Sequence, residues 1–219
     1  SAPELFTREQ ARRVLLERGP AIRPALERWI GSLGTAAPAR LEAAWLSVAV
    51  EGASGPNPAD DLLAAADPRL RAAVVRVLSD HHAAPPASAG LVAALVHTFA
   101  RAAKDDHPRV RLEAVRALGR LGTARAAAVA LGVVDQPLDS VLAYALRTTM
   151  QELADPWLAA LESGDWKWEG REAQLDFALG ALPADKGQRA LRFLLKGRDI
   201  PRDGSGPLIG LIGRAGGPA

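Results

Sequence analysis

The sequence predicts an all-α fold, an α-α superhelix in which antiparallel helix pairs stack as a solenoid. Three observations carry that prediction. Apolar residues recur at helical spacing along most of the chain, alternating strand patterns are almost absent, and one helical phrase is written twice. The phrase DHPRVRLEAVRALGRLG spans 106–122, where Val110, Ala114, Val115, Leu118 and Leu121 form one apolar stripe. Pro108 suits the first turn of a helix, because the N–H it lacks has no partner there. Gly122 can close the helix in the left-handed conformation. An earlier copy, DPRLRAAVVRVL at 67–78, lies 40 residues upstream and sets Pro68, Arg69, Arg71 and Arg76 on Pro108, Arg109, Arg111 and Arg116. A period of that size built only from helix marks a stacked repeat.

Composition narrows the chemistry. The 219 residues hold 48% hydrophobic but only 5% aromatic side chains, so the apolar surface comes from Ala, Leu and Val, whose small size suits close helix packing. Cysteine is absent, which excludes disulfides, thiolate metal sites, CxxCH haem attachment and cysteine nucleophiles in this chain. A net charge of +2 is low for a protein that tracks nucleic-acid phosphates, although the sequence pI is 9.4. No apolar run approaches the ~20 residues of a membrane span. Ser1-Ala2-Pro3 and the terminal Gly216-Gly217-Pro218-Ala219 read as the ends of a domain cut from a longer protein.

In order, a capping box at Thr7 and Gln10 predicts a helix over 8–18, and Gly19-Pro20 turns into a second one bearing Trp29. A third covers 41–50 with Trp45 inward. The linker-like GASGPNP at 52–58 then separates N-terminal capping helices (1–56) from a repeat core (57–155). In the core, a short helix precedes the first phrase, HHAAPPAS (81–88) forms a loop, and a helix over 90–103 leads to the second phrase. A partner helix follows over 123–134. A degenerate third phrase opens at Asp135-Gln136-Pro137, and matching Ala145-Leu146 to Ala117-Leu118 puts Leu138 on Val110 and Tyr144 on Arg116. The C-terminal helices (156–219) start at Asp155-Pro156, pass the aromatic loop GDWKWEG and form a pair over 171–182 and 184–195. A Gly-rich tail closes the chain.

The run HPRVRLEAVRALGRLGTARAAAVALGVVDQPLDSVLAYALRTTMQEL, 107–153, resembles HEAT-like repeats of the phycobilisome-lyase type. It is similar in particular to the HEAT region of planctomycete-type membrane-bound dehydrogenase or c-type haem-binding proteins. TREQARRVLLERGPAIRPALERWIGSL and RLEAAWLSVAV resemble the same region. The resemblance implies a bacterial cell-envelope protein in which a β-propeller precedes the solenoid and a c-type cytochrome follows. Any haem then belongs to a flanking domain, and this chain carries no cofactor and no catalytic residue.

The residues themselves suggest binding more readily than a reaction. Arg71 and Arg111 share the apolar side of their helices and are expected to form a structural ladder with a neighbouring repeat, with Asp67 and Asp106 as helix caps. Arg109, Glu113, Arg116 and Arg120 fall on the opposite face, with Arg69 and Arg76 equivalent one repeat earlier and Tyr144 one later. Stacking would align them into a basic strip, either a solvated face or a docking surface for an acidic partner. Trp166-Lys167-Trp168 reads as two buried indoles or as a stacking platform, while Trp29, Trp45 and Trp157 belong to the core. His81, His82, His97 and His107 form no ligand set, and no metal is expected.

The sequence therefore predicts a non-catalytic scaffold binding protein or flanking domains. The competing readings are a basic solenoid binding nucleic acid in the manner of HEAT-like DNA glycosylases, and a bilin-lyase-like enzyme by fold analogy alone.

Overall fold

The computed structural model describes residues 2–33, 37–51, 59–81 and 89–196. The predicted linker at 52–58, most of the 81–88 loop and the Gly-rich tail lie outside them. The described residues are helical with turns between, and none is in a strand. The chain divides into two compact units, 1–92 and 93–219.

The first unit contains α1 (Ala2–Arg18), a 3₁₀ turn (Gly19–Ile22), α2 (Arg23–Ser32), α3 (Ala37–Glu51), α4 (Ala59–Leu63) and α5 (Pro68–His81). Helix α1 starts six residues before the expected position, since Pro3 falls in its first turn, where proline costs no hydrogen bond. Helix α3 lies at the centre, against α1, α2, α4 and α5. Its Ala43, Ala44 and Leu46 bury with Leu26, Leu62, Val74, Val75 and Leu78. Arg12 of α1 clamps Glu42 of α3 through two bonds, Nη2 to Oε1 at 2.5 Å and Nε to Oε2 at 2.9 Å. Its guanidinium also covers Trp45, 4.9 Å from the ring centroid. The bond to Glu42 raises the Arg12 pKa above its ordinary value. Trp29 departs from the core expectation. It is 36% exposed near the end of the short α2, whose buried residue is Leu26.

The second unit begins within α6 (Ala89–Ala102). It continues through α7 (Pro108–Arg120), α8 (Ala124–Leu131) with a 3₁₀ extension (Gly132–Asp135), α9 (Ser140–Glu152), α10 (Ala154–Ser163), α11 (Glu172–Ala181) and α12 (Ala184–Leu195). Two layers result. Helices α7, α9 and α11 neighbour one another in one, and α8, α10 and α12 in the other, with α7–α8, α9–α10 and α11–α12 as the antiparallel pairs. This is the α-α superhelical arrangement. Ala126, Ala127 and Ala130 are fully buried on α8, so the layers meet over side chains small enough for close approach.

The third phrase sits one helical turn away from its expected register. Helices α7, α9 and α11 start 32 residues apart, which places Leu142, not Leu138, on Val110. Leu142, Leu146 and Met150 are buried as Val110, Ala114 and Leu118 are. Asp139 fixes the start of α9, its Oδ1 accepting from the Leu142 N–H at 2.8 Å.

Candidate functional site

The two repeat phrases build the same local device. At the start of α5, Asp67 Oδ1 accepts the Arg69 N–H at 2.8 Å. Arg71 Nη1 donates to the carbonyls of Ala65 and Ala66 at 2.8 and 3.0 Å. At the start of α7, His107 Nδ1 accepts the Arg109 N–H at 3.2 Å, and Arg111 Nη1 donates to the carbonyls of Asp105 and Asp106, both at 2.9 Å. The cap of α7 is thus His107, and the expectation for Asp106 is corrected. Asp106 stands one residue too early for its side chain to reach the first helical N–H groups, and it contributes its carbonyl to Arg111 instead. The 40-residue displacement already set His107 on Asp67. Arg111 is 5% exposed, and its Nη2 reaches the Pro137 carbonyl at 2.9 Å, tying α7 to the loop that enters α9.

Residues 59–151, the segment holding both phrases and α9, match the family model for HEAT repeats. This segment is made of HEAT repeats. No curated protein matches the chain. A HEAT-repeat region commonly offers its stacked helix faces to a partner, so the outer surfaces of these repeats carry the functional question.

Within the second unit, α7 and α9 enclose a groove of about 470 Å³ lined by Arg116, Arg120, Val141, Tyr144, Thr148 and Glu152, among others. Tyr144 is 72% exposed and Val141 60%. Arg116 is exposed, with no hydrogen-bond or ion-pair partner among the described residues. The helices approach closely beneath. A Cβ on Gly119 would lie 2.9 Å from Glu152 Oε2 and 3.3 Å from Thr149 Oγ1. Thr149 Oγ1 donates to the Val115 carbonyl at 3.3 Å across the same seam. A side chain at 119 would therefore press on Glu152 and Thr149 across the α7–α9 seam.

Other expected strip residues fall elsewhere. Arg109 is exposed on α7 but does not line the groove, and Arg69 and Arg76 are exposed on α5 of the first unit. Glu113 leaves the outer face, being 6% exposed. It shares the angular sector of Arg109 and Arg120 on α7, so its burial comes from what packs against that part of the helix and not from helical spacing. Val141 was missed as a groove residue. The available signal was that Val141, Tyr144 and Thr148 recur at helical spacing outside the stripe of Leu142, Leu146 and Met150.

Trp166 and Trp168 are not a stacking platform. They are 4% and 7% exposed. Gly164 ends α10 in the left-handed conformation (φ 81°), and the Trp166 N–H then donates back to the Ala160 carbonyl at 2.9 Å. That return lays the Trp166 ring on Trp157, with centroids 5.4 Å apart and planes inclined by 60°. Lys167 between them stays exposed. Among the described residues no group of three His, Asp or Glu side chains could hold a metal ion. Nor is any described helix long and apolar enough to cross a membrane.

Proposed function

We propose that the chain is a non-catalytic interaction scaffold whose α7–α9 groove binds a partner segment bearing acidic and large apolar side chains. The observation that carries this reading is the exposure of Tyr144 and Val141 beside Arg116 on one groove between HEAT repeats. Tyrosine and arginine dominate the energetics of protein interfaces, because each combines a large contact area with directed hydrogen bonding. Arg116 is available to a partner carboxylate, and Glu152 at the groove's rim disfavours acids there, which would give the bound segment a direction.

Selection of displayed random peptides on the full chain and on its Tyr144→Ala/Arg116→Glu variant tests the reading. The wild type should enrich sequences pairing Asp or Glu with Leu, Phe or Trp, and the variant should lose them. Identical selections from both would contradict it.

The wider setting, in which the scaffold spaces a propeller from a c-type cytochrome in a bacterial envelope oxidoreductase, rests on the resemblance of 107–153. The reading frame around the segment tests that part. A propeller before it and a CxxCH segment after it support the setting, and a frame with neither overturns it.

A further inference from the structure

A second cleft in the 93–219 unit, of about 440 Å³, is lined by none of the groove residues. It lies between α6, α8 with its 3₁₀ extension, and the start of α11. Lys104, Arg125 and Arg171 converge on it. All three are exposed, and none has an ion-pair or side-chain hydrogen-bond partner among the described residues.

The cleft does contain one carboxylate, Asp135, which is engaged without a cation. Gln174, 7% exposed, donates from Nε2 to Asp135 Oδ2 at 2.7 Å. The acid thus braces α11 against the end of α8, and the three cations stay available. Three positive groups against one negative leave a surplus of about two charges, the complement of a phosphomonoester at roughly −1.5 to −2. A single carboxylate would fill only half of that surplus. Two arginines add forked donors matched to phosphate oxygens. The cleft is open to solvent, whereas sites for small molecules enclose about 70–90% of the ligand surface. An open cleft suits a side chain presented by a longer chain.

We propose that this cleft docks a phosphorylated serine or threonine of a partner polypeptide. It would then act as a second recognition point, read independently of the α7–α9 groove, through which phosphorylation of a partner switches its residence on the scaffold.

The test is fluorescence anisotropy on the full chain with a degenerate phosphoserine/phosphothreonine peptide pool and its unphosphorylated twin. The phosphorylated pool should bind at least about tenfold more tightly, a difference of ~1.4 kcal/mol. Arg125→Gln/Arg171→Gln should abolish that preference, Lys104→Gln should weaken it, and Tyr144→Ala should leave it intact. Circular dichroism checks that the variants keep the helical fold, as exposed positions should. Equal binding of both pools, or a preference surviving the double substitution, would overturn the proposal. Inorganic phosphate or free O-phosphoserine competing as well as the peptide pool would overturn its assignment to a polypeptide. Because the substituted residues are disjoint, failure here is distinguishable from failure of the groove reading.

Discussion

Tyr144 and the Trp166–Trp168 loop look alike in sequence, aromatic residues beside cations in a helical repeat, yet the fold treats them oppositely. Tyr144 stands 72% exposed on α9 beside Arg116, while Trp166 and Trp168 are buried within the α10–α11 connection. The difference comes from backbone geometry. A helix holds Tyr144 at a fixed angle, about 160° from both Leu142 and Leu146 and so on the far side of that stripe, as roughly 100° per residue dictates. The loop after Gly164 can fold back, and burying an indole of about 150–250 Å² drives it to do so. In the second unit the two loop tryptophans therefore close the core, while Tyr144 on the outer face of α9 stays exposed.

The largest test of that contrast is Trp166→Ala. It removes the ring that packs at a tilt against Trp157 and should cost about 3–5 kcal/mol, measured by urea unfolding, without changing the chemistry of the groove. Next comes Arg111→Ala, which strips three carbonyls of their shared donor and opens the link between α7 and the Pro137 loop. A loss of about 2–4 kcal/mol is expected by the same assay, and Arg111→Lys should recover only part of it, since an ammonium lacks the fork that spans both loops. Gly119→Val, pressing on Thr149 and Glu152, should cost about 1–3 kcal/mol and widen the α7–α9 seam.

The smallest effect concerns Glu162 of α10 and Arg189 of α12, joined by two bonds at 2.7 and 2.6 Å. The bond from Arg189 holds the Glu162 carboxyl below its ordinary pKa. A depressed carboxylate pKa contributes stability above the unfolded value and loses it as pH falls through the folded one. The stability gap between wild type and Glu162→Gln should therefore be present at neutral pH and close in acid. A gap independent of pH would mean that the pair acts only through packing.

The fold was legible because a repeat states its own boundaries. Pro68 and Pro108, 40 residues apart, open two of the helices, and the paired arginines behind them carry the same hydrogen bonds. The third phrase was harder. A shift of four residues turns a helix by only about 40° beyond a full turn, so the apolar stripe reads almost equally well in either register. Only the cap at Asp139 separates them. The same tolerance explains why a slipped register still set Tyr144 on the side of Arg116. Burial of Glu113 and of the loop tryptophans depends on which helix lies across from them, and no local spacing encodes that. The Lys104–Arg125–Arg171 cleft was invisible for the same reason, its cations being drawn from three separate elements.

The central claim, that exposed Tyr144 serves binding while the buried tryptophans serve stability, is tested most directly by one paired measurement. Melting temperature and affinity for a peptide selected on the wild type would be determined side by side for Tyr144→Ala and Trp166→Ala. The account predicts that Tyr144→Ala melts like the wild type but loses the peptide, and that Trp166→Ala melts far lower. A Tyr144→Ala chain that keeps the peptide, or that melts as low as Trp166→Ala, would contradict it.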